Sequence, residues 1–305
     1  MAKLNNNLEF IFNENKTVRL DMFLSQKMGL SRNAIQKLIN NDFVLVNDQK
    51  VKNSYKLEIN DRVIVIENFS INEEKKSFDI NFDLNIVFED NNYLIINKQR
   101  GIVVHPSLTT KGATLVDALL ARGIQLSDIN GKDRLGIVHR IDKNTTGLLI
   151  IAKNNNSHLF IQEQIRTKQA RRIYLGLVDG NIKEDEGVID KAIGRDSKNR
   201  KIMSTKNGLR DAVTKFKVIE RFGQYTLVEF SLMTGRTHQI RAHAKSINHP
   251  LVGDKEYGGS NKFNVDGQLL HAYKLILISP TTRKECEYMA NLPEDFENVL
   301  NKLKK

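Results

Sequence analysis

Between Gly136 and Asn154 the chain reads GIVHRIDKNTTGLLIIAKN. The apolar run Leu148 to Ala152 has the length and residue types of a strand. Ahead of it lies a polar loop, His139 to Gly147, holding Arg140, Asp142, Lys143 and two threonines. A carboxylate between two cations, in a loop set against a sheet, suits anion recognition or catalysis. The same residues suit a plainer role, an aspartate capping its own turn. The loop by itself leaves both open. The histidines raise the question of a metal. His238 and His243 stand five apart, His249 follows, and Cys286 is the single cysteine. Metal-ligand spacing is absent, so no metal is expected. His105 and His139 are expected to orient loops by hydrogen bonding.

Such a loop needs a scaffold. Strand-like runs recur from about Asn85 onward: NIVF, YLIIN, GIVVH, GLLIIAK, IYLGLV, YTLVEFSL and LILIS. Helical patterns fall between them, over Thr114 to Ala121, Ser157 to Lys168 and Thr237 to Ser246. The expected fold is α+β, with a large mixed or mostly antiparallel sheet flanked by helices and loops. The N-terminal region reads as a smaller α+β module. Ser31 is a plausible N-cap for a helix from Arg32 to Asn40, with Ile35, Leu38 and Ile39 on one face. A shorter helix is expected over Arg19 to Lys27, with Leu20, Phe23 and Leu24 inward. Phe43 to Val46 and the turn Asn47–Asp48 suggest a hairpin, and Arg62 to Ile66 a closing strand. The polar stretch Glu67 to Asp83 separates the two regions. The domains are therefore expected over 1–75 and 76–305.

The chain has 305 residues, enough for two cores. Its formal net charge of +11 suits a polyanionic partner, but also a merely solvated basic surface. One cysteine excludes a disulfide framework. The N-terminus has no signal-peptide pattern, and no apolar stretch approaches the roughly 20 residues a membrane span requires. A soluble, cytoplasmic protein with no membrane partner is expected.

HRIDKNTTGLLIIAK resembles the active-site motif of the RluA-type RNA pseudouridine synthases, H-R-L-D-x-x-T-S-G-L. The resemblance implies that Asp142 is the catalytic residue and that Arg140 occupies the space of a flipped base. ARRIYLGLV resembles the segment carrying the family's active-site tyrosine, here Tyr174. TGRTHQIRAHAKSINHPLVGDKEYG resembles the segment carrying its active-site arginine, assigned to Arg236 with Arg241 the competing choice. DNNYLIINKQRGIVVHPS and LLHAYKLILISP resemble two further core segments, with Gln99 where the family usually has proline. Substrate contacts are expected from Arg140, His139, Thr145, Arg241 and Leu270. The segment from Arg19 to Val65 resembles the S4 RNA-binding domain, which implies RNA contacts from Arg19, Arg32, Gln36 and Lys37. Asp42 and Asp48 stand where that domain usually has glycine, and both tolerate left-handed backbone.

The implied chemistry agrees with the residues. Isomerising uridine breaks its N1–C1′ bond and joins C5 to C1′, with no redox change and no group donor, so no cofactor is expected. It needs a carboxylate, and a neighbouring guanidinium, expected to be Arg236, would keep that group ionised. The base must be flipped out of its helix. A ring such as Tyr174 can stack on it, worth about 1–3 kcal/mol, although a strand tyrosine can also be plain core. The implied substrate is RNA, chiefly large-subunit (23S) ribosomal RNA or its precursor, with transfer RNA the alternative and a monomer the expected state. A non-catalytic RNA-binding or ribosome-assembly protein fits the charge and the S4-like segment equally well. A hydrolase is set aside for want of a ligand cluster, a nucleophile elbow and a phosphate-binding glycine loop.

Overall fold

The computed structural model describes residues 7–30, 32–66, 80, 82–106, 110–206 and 210–305, and divides into two compact units, Met1–Ser77 and Phe78–Lys305. The first unit contains β1 (Asn7–Ile11), β2 (Val18–Arg19), α1 (Leu20–Met28), α2 (Arg32–Asn40), β3 (Val44–Val46), β4 (Gln49–Lys50), β5 (Lys56–Leu57) and β6 (Arg62–Ile66). The apolar spacing sets its core: Leu20, Phe23 and Leu24 of α1 meet Ile35, Leu38 and Ile39 of α2 against Val44, Val46, Val63 and Val65. Asn47 and Asp48 both take positive φ, 50° and 62°, in the two-residue turn of the β3–β4 hairpin. Asp42 does the same at 64°. Both aspartates thus hold the left-handed backbone for which a glycine is usual. Ser31, the expected N-cap, lies outside the described residues.

The second unit begins with β7 (Ile86–Glu89), β8 (Tyr93–Lys98), α3 (Leu115–Ala121), β9 (Thr146–Ala152), α4 (Asn155–Arg166) and β10 (Arg171–Asp179). It continues with β11 (Glu186–Asp190), β12 (Gly194–Arg195), β13 (Met203–Ser204), β14 (Val213–Arg221), β15 (Tyr225–Leu232) and α5 (Gln239–Ser246). It ends with β16 (Leu270–Ile278), β17 (Glu285–Met289) and α6 (Glu294–Leu303). Nine strands form one mixed sheet in the order β11-β14-β15-β10-β16-β9-β8-β7, with β17 also on β16. β9 and β16 run parallel through two residue pairs, His271 with Thr146 and Ala272 with Gly147. β17 then takes over the same edge of β16 from Lys274 onward. One face of the sheet buries Leu149, Ile151, Tyr174, Val228 and Phe230 against α3 and α5. The other buries Leu148, Ile150 and Leu277 against α4, and Leu177 and Leu227 against α6.

Two expectations are corrected. GIVVH is not a strand. Ile102 and Val104 are buried, but the carbonyls of Val103 and Val104 accept the N–H groups of Leu115 and Val116, so the segment caps the start of α3. β1, β11, β14, β17 and α6 were not anticipated. Among the described residues no helix is long and apolar enough to cross a membrane.

Candidate active site

The loop ahead of β9 is suspended from two other strands. At the end of β8, the Gly101 N–H and the Lys98 ammonium both donate to the Lys143 carbonyl, each at 3.0 Å. Lys98 also donates to the Gln99 and Ile102 carbonyls. Burial pulls its amine down to about 7, against the pull of Asp142. Arg100 donates to the Asn144 carbonyl at 2.8 Å and pairs with Asp295. From the β16 side, Gln268 donates to the Thr145 hydroxyl at 2.9 Å, and Thr146 meets His271 at 2.8 Å. The loop is therefore held by the carbonyls of Lys143 and Asn144 and by the buried hydroxyls of Thr145 and Thr146, which leaves the Asp142 carboxylate outside this scaffold.

Asp142 does not cap its own turn through its carboxylate. The turn closes by Thr145 N–H donating to the Asp142 carbonyl. The carboxylate instead accepts from Arg241 Nη1 at 3.4 Å, and His238 Nε2 lies 3.9 Å from its other oxygen. Arg241 is the third residue of α5, and three carboxylates surround it. Asp254 takes Nε and Nη2 at 2.7 and 2.8 Å, Glu256 takes Nη2 at 2.6 Å, and Asp142 takes what remains. Burial works against the charge of Arg241, but Asp254, Asp142 and Glu256 outweigh it and raise its affinity for the proton. The Tyr257 ring lies 4.7 Å from its guanidinium carbon. The Tyr257 hydroxyl accepts from Met203 N–H and meets His238 Nδ1 at 3.1 Å. His238 precedes α5 with φ 54°, a conformation rare outside glycine and asparagine, which directs its ring to the site.

Asp142 lines a narrow cavity of about 40 Å³ together with Arg140, Thr145, Tyr174, Arg241 and Leu270. Among the described residues it is the one carboxylate there. The free space between these side chains is small. Arg140 is exposed, and forms no hydrogen bond or ion pair among the described residues. Tyr174 is 4% exposed, and burial pushes its hydroxyl up, with Arg172 opposing.

The expected partner of Asp142 is corrected. Arg236 is exposed, lies on the rim of the cavity and donates its Nε to the Asp211 carbonyl at 3.0 Å, whereas Arg241 reaches the carboxylate. Arg236 precedes α5 and follows its own turn, while Arg241 is carried inward by the buried face of the helix. His139 does not line the cavity. Its Nε2 accepts from Ile150 N–H at 3.3 Å, which ties the loop to β9. In the first unit, Arg19, Arg32 and Gln36 converge on Asp21, with distances of 2.7 to 3.0 Å. Asp21 is fully buried. Burial opposes its charge, but these three donors hold it well below the usual carboxylate range. Of Lys37, only the backbone is described. Sequence reasoning missed Asp21, His238, Asp254 and Glu256. For Asp21 the signal was partial: an acidic residue in the first turn of a helix that follows an arginine. For Asp254 and Glu256 it was the run GDKEY, whose charges gain meaning only when folded back on α5.

Residues 92–246 match the RNA pseudouridylate synthase family, and residues 18–63 match the S4 domain. The chain is similar to an uncharacterised RNA pseudouridine synthase of Bacillus subtilis, YlyB, with 43% identity over 96% of each chain. It is also similar to the ribosomal large subunit pseudouridine synthase D of Buchnera aphidicola subsp. Schizaphis graminum, at 36% identity over 94% of each. Among solved structures, human RNA pseudouridylate synthase domain containing 4 aligns with TM-score 0.56 and 25% identity, over 72% of this chain and 93% of that one. The chain belongs to the RNA pseudouridine synthase family, and it is an isomerase of uridine in RNA with an N-terminal S4 RNA-binding domain.

Proposed function

We propose that Asp142 carries the isomerisation, that Arg241 holds and orients it, and that Tyr174 takes the target base against its ring. The observation that carries this reading is a lone carboxylate at the mouth of a cavity lined by a tyrosine, 3.4 Å from a guanidinium that other carboxylates fix in place. In the reaction, N1–C1′ breaks, the base turns, C5 joins C1′, the C5 proton leaves and N1 takes one up. Arg140 withdraws to admit the base, and Arg236 acts at the rim, on the RNA backbone. The S4 unit binds RNA through the cationic face that Arg19 and Arg32 form around Asp21. The substrate is large-subunit ribosomal RNA, as the similar Buchnera enzyme's name says of that protein. A monomer acting in the cytoplasm, with domains 1–75 and 76–305, completes the proposal.

The test is tritium release from RNA labelled at uridine C5. Wild type is expected to release tritium from an unmodified large-subunit transcript. Asp142→Asn is expected to release none above background while binding the RNA with unchanged affinity. Full release by Asp142→Asn would remove the carboxylate from the mechanism. Release from transfer RNA alone would move the target.

A further inference from the structure

Two arginines, Arg241 and Arg172, are buried in opposite surroundings. Arg241 is saturated with carboxylates. Arg172 has none. It sits on β10 two residues before Tyr174, hence on the same face of the strand. The residue is 8% exposed, and its Nε is buried without a hydrogen-bond partner. Among the described residues no hydrogen bond or ion pair reaches any of its nitrogens. Burial pulls its guanidinium down, and the nearby group that favours its charge is Tyr174. A buried cation without a counter-charge is costly, and a fold keeps one where an anion completes it. The space above the guanidinium is also specific. A side chain at Gly235 would place its first carbon 2.9 Å from Arg172 Nη1. Glycine there leaves room beside the guanidinium, in the loop that leads to Arg236. His139 is close enough to Arg172 to feel its charge, and Arg140 follows it in the chain. Arg140 and Arg236 are likewise without carboxylate partners, and both line the Asp142 cavity.

We infer that Arg172 is a phosphate-binding residue, whose guanidinium takes a backbone phosphate of the substrate RNA next to the nucleotide whose base enters the Asp142 cavity. A planar guanidinium with both terminal nitrogens unoccupied matches a phosphate's paired oxygens. The docked phosphate supplies the missing counter-charge and fixes the sugar relative to Tyr174 and Asp142. The inference rests on the reading that the Asp142 cavity receives the flipped base, but its test does not use catalysis.

The test is the salt dependence of binding to an unmodified in vitro transcript of large-subunit ribosomal RNA, for wild type, Arg172→Gln, Arg172→Lys and Gly235→Ala. The comparison is between variants on one RNA, so it holds whichever uridine is the target. Losing one phosphate contact makes the slope of log affinity against log salt shallower by about 0.7–0.9. Arg172→Gln is expected to show that change and to bind roughly tenfold or more weakly at low salt, as fits one charge-assisted contact. Arg172→Lys is expected to keep the slope. Arg172→Gln should melt no earlier than wild type, since an unpaired buried charge has gone; a merely structural arginine would leave the slope intact and lower the melting point. Gly235→Ala crowds the guanidinium without removing it and is expected to weaken binding in the same salt-dependent way, which keeps the inference open to refutation if Arg172→Gln does not fold. An unchanged slope in the folded variants overturns it.

Discussion

Arg241 serves three carboxylates, and they are not equivalent. Asp254 is 2% exposed and takes two of its nitrogens, so it sets where the guanidinium points. Asp142 receives one longer bond, which leaves its oxygens available for chemistry. Asp254 is thus a positioning residue acting through Arg241. Asp254→Asn breaks a buried ion pair, which costs about 3–5 kcal/mol. The expected outcome, read by thermal melting and single-turnover kinetics, is a less stable enzyme whose kcat falls while its RNA affinity holds. Arg241→Lys is expected not to restore function in any background, because an ammonium cannot span Asp254 and Asp142 together. Equal loss of affinity and rate in Asp254→Asn would reduce Asp254 to a structural role. At this scale the sequence was legible for residue types and less so for pairings. Asp142, Arg140, Tyr174, Thr145 and Leu270 all meet in one cavity. The choice between Arg236 and Arg241 turned on where α5 starts, and a helix boundary is uncertain by a residue or two from sequence. Asp21 was visible as an acid near two arginines but not as their partner, because whether Arg19, Arg32 and Gln36 face solvent or a buried acid depends on how α1 packs on α2.

The loop bearing Asp142 is positioned by where β9 meets β16, and that meeting depends on one residue. Gly147 has φ 104°, and a Cβ there would lie 2.3 Å from the Ala272 carbonyl oxygen and 2.6 Å from its nitrogen. Both are backbone atoms and cannot move aside without breaking the parallel pairing. Gly147→Ala is therefore expected to cost about 3 kcal/mol or more, through left-handed backbone and overlap together. For a unit of this size that is a drop in melting temperature of roughly 6 °C or more. A melt within a degree of wild type would show that β9 and β16 can separate at no cost, which the loop geometry does not allow. The strands and helices that were legible are those with consecutive apolar residues, such as β8, β9, β10, β15 and β16. β14 and α6 were not, because their apolar residues alternate with charge: Phe216 and Val218 among lysines, Phe296, Val299 and Leu300 among acids and lysine. GIVVH misled in the opposite way. Its apolar residues are buried, but its carbonyls are spent on the first turn of α3.

The chain carries a basic surplus of +11, while burial disfavours the charged form of several of its histidines. Burial, with Arg140 and Arg134 adding, lowers His105 to about 4. Burial and then Arg172 lower His139 to about 3. Burial lowers His271 to about 4, against its bond to the Ala290 carbonyl. In the unfolded chain each titrates near 6.5. Between about 6.5 and about 4 the unfolded state therefore binds protons that the folded state refuses. Stability is full above pH 6.5 and falls as pH falls through this window, by up to about 1.4 kcal/mol per pH unit for each histidine. The loss precedes carboxylate protonation, so it separates from ordinary acid unfolding. It arises from burial more than from surface charge, and added salt should leave it largely in place. The measurement is the urea midpoint between pH 7 and pH 5 at low and high salt, for wild type and His271→Gln. The expected result is a falling midpoint at both salts, with the variant's slope shallower by one proton. His271 bonds Thr146 at the first residue of β9, so its protonation also loosens the strand that follows the Asp142 loop. Activity should then decline only as pH approaches the folded-state value of His271, about 4, and a flat midpoint between pH 7 and pH 5 would mean that these histidines accept protons without opening the site.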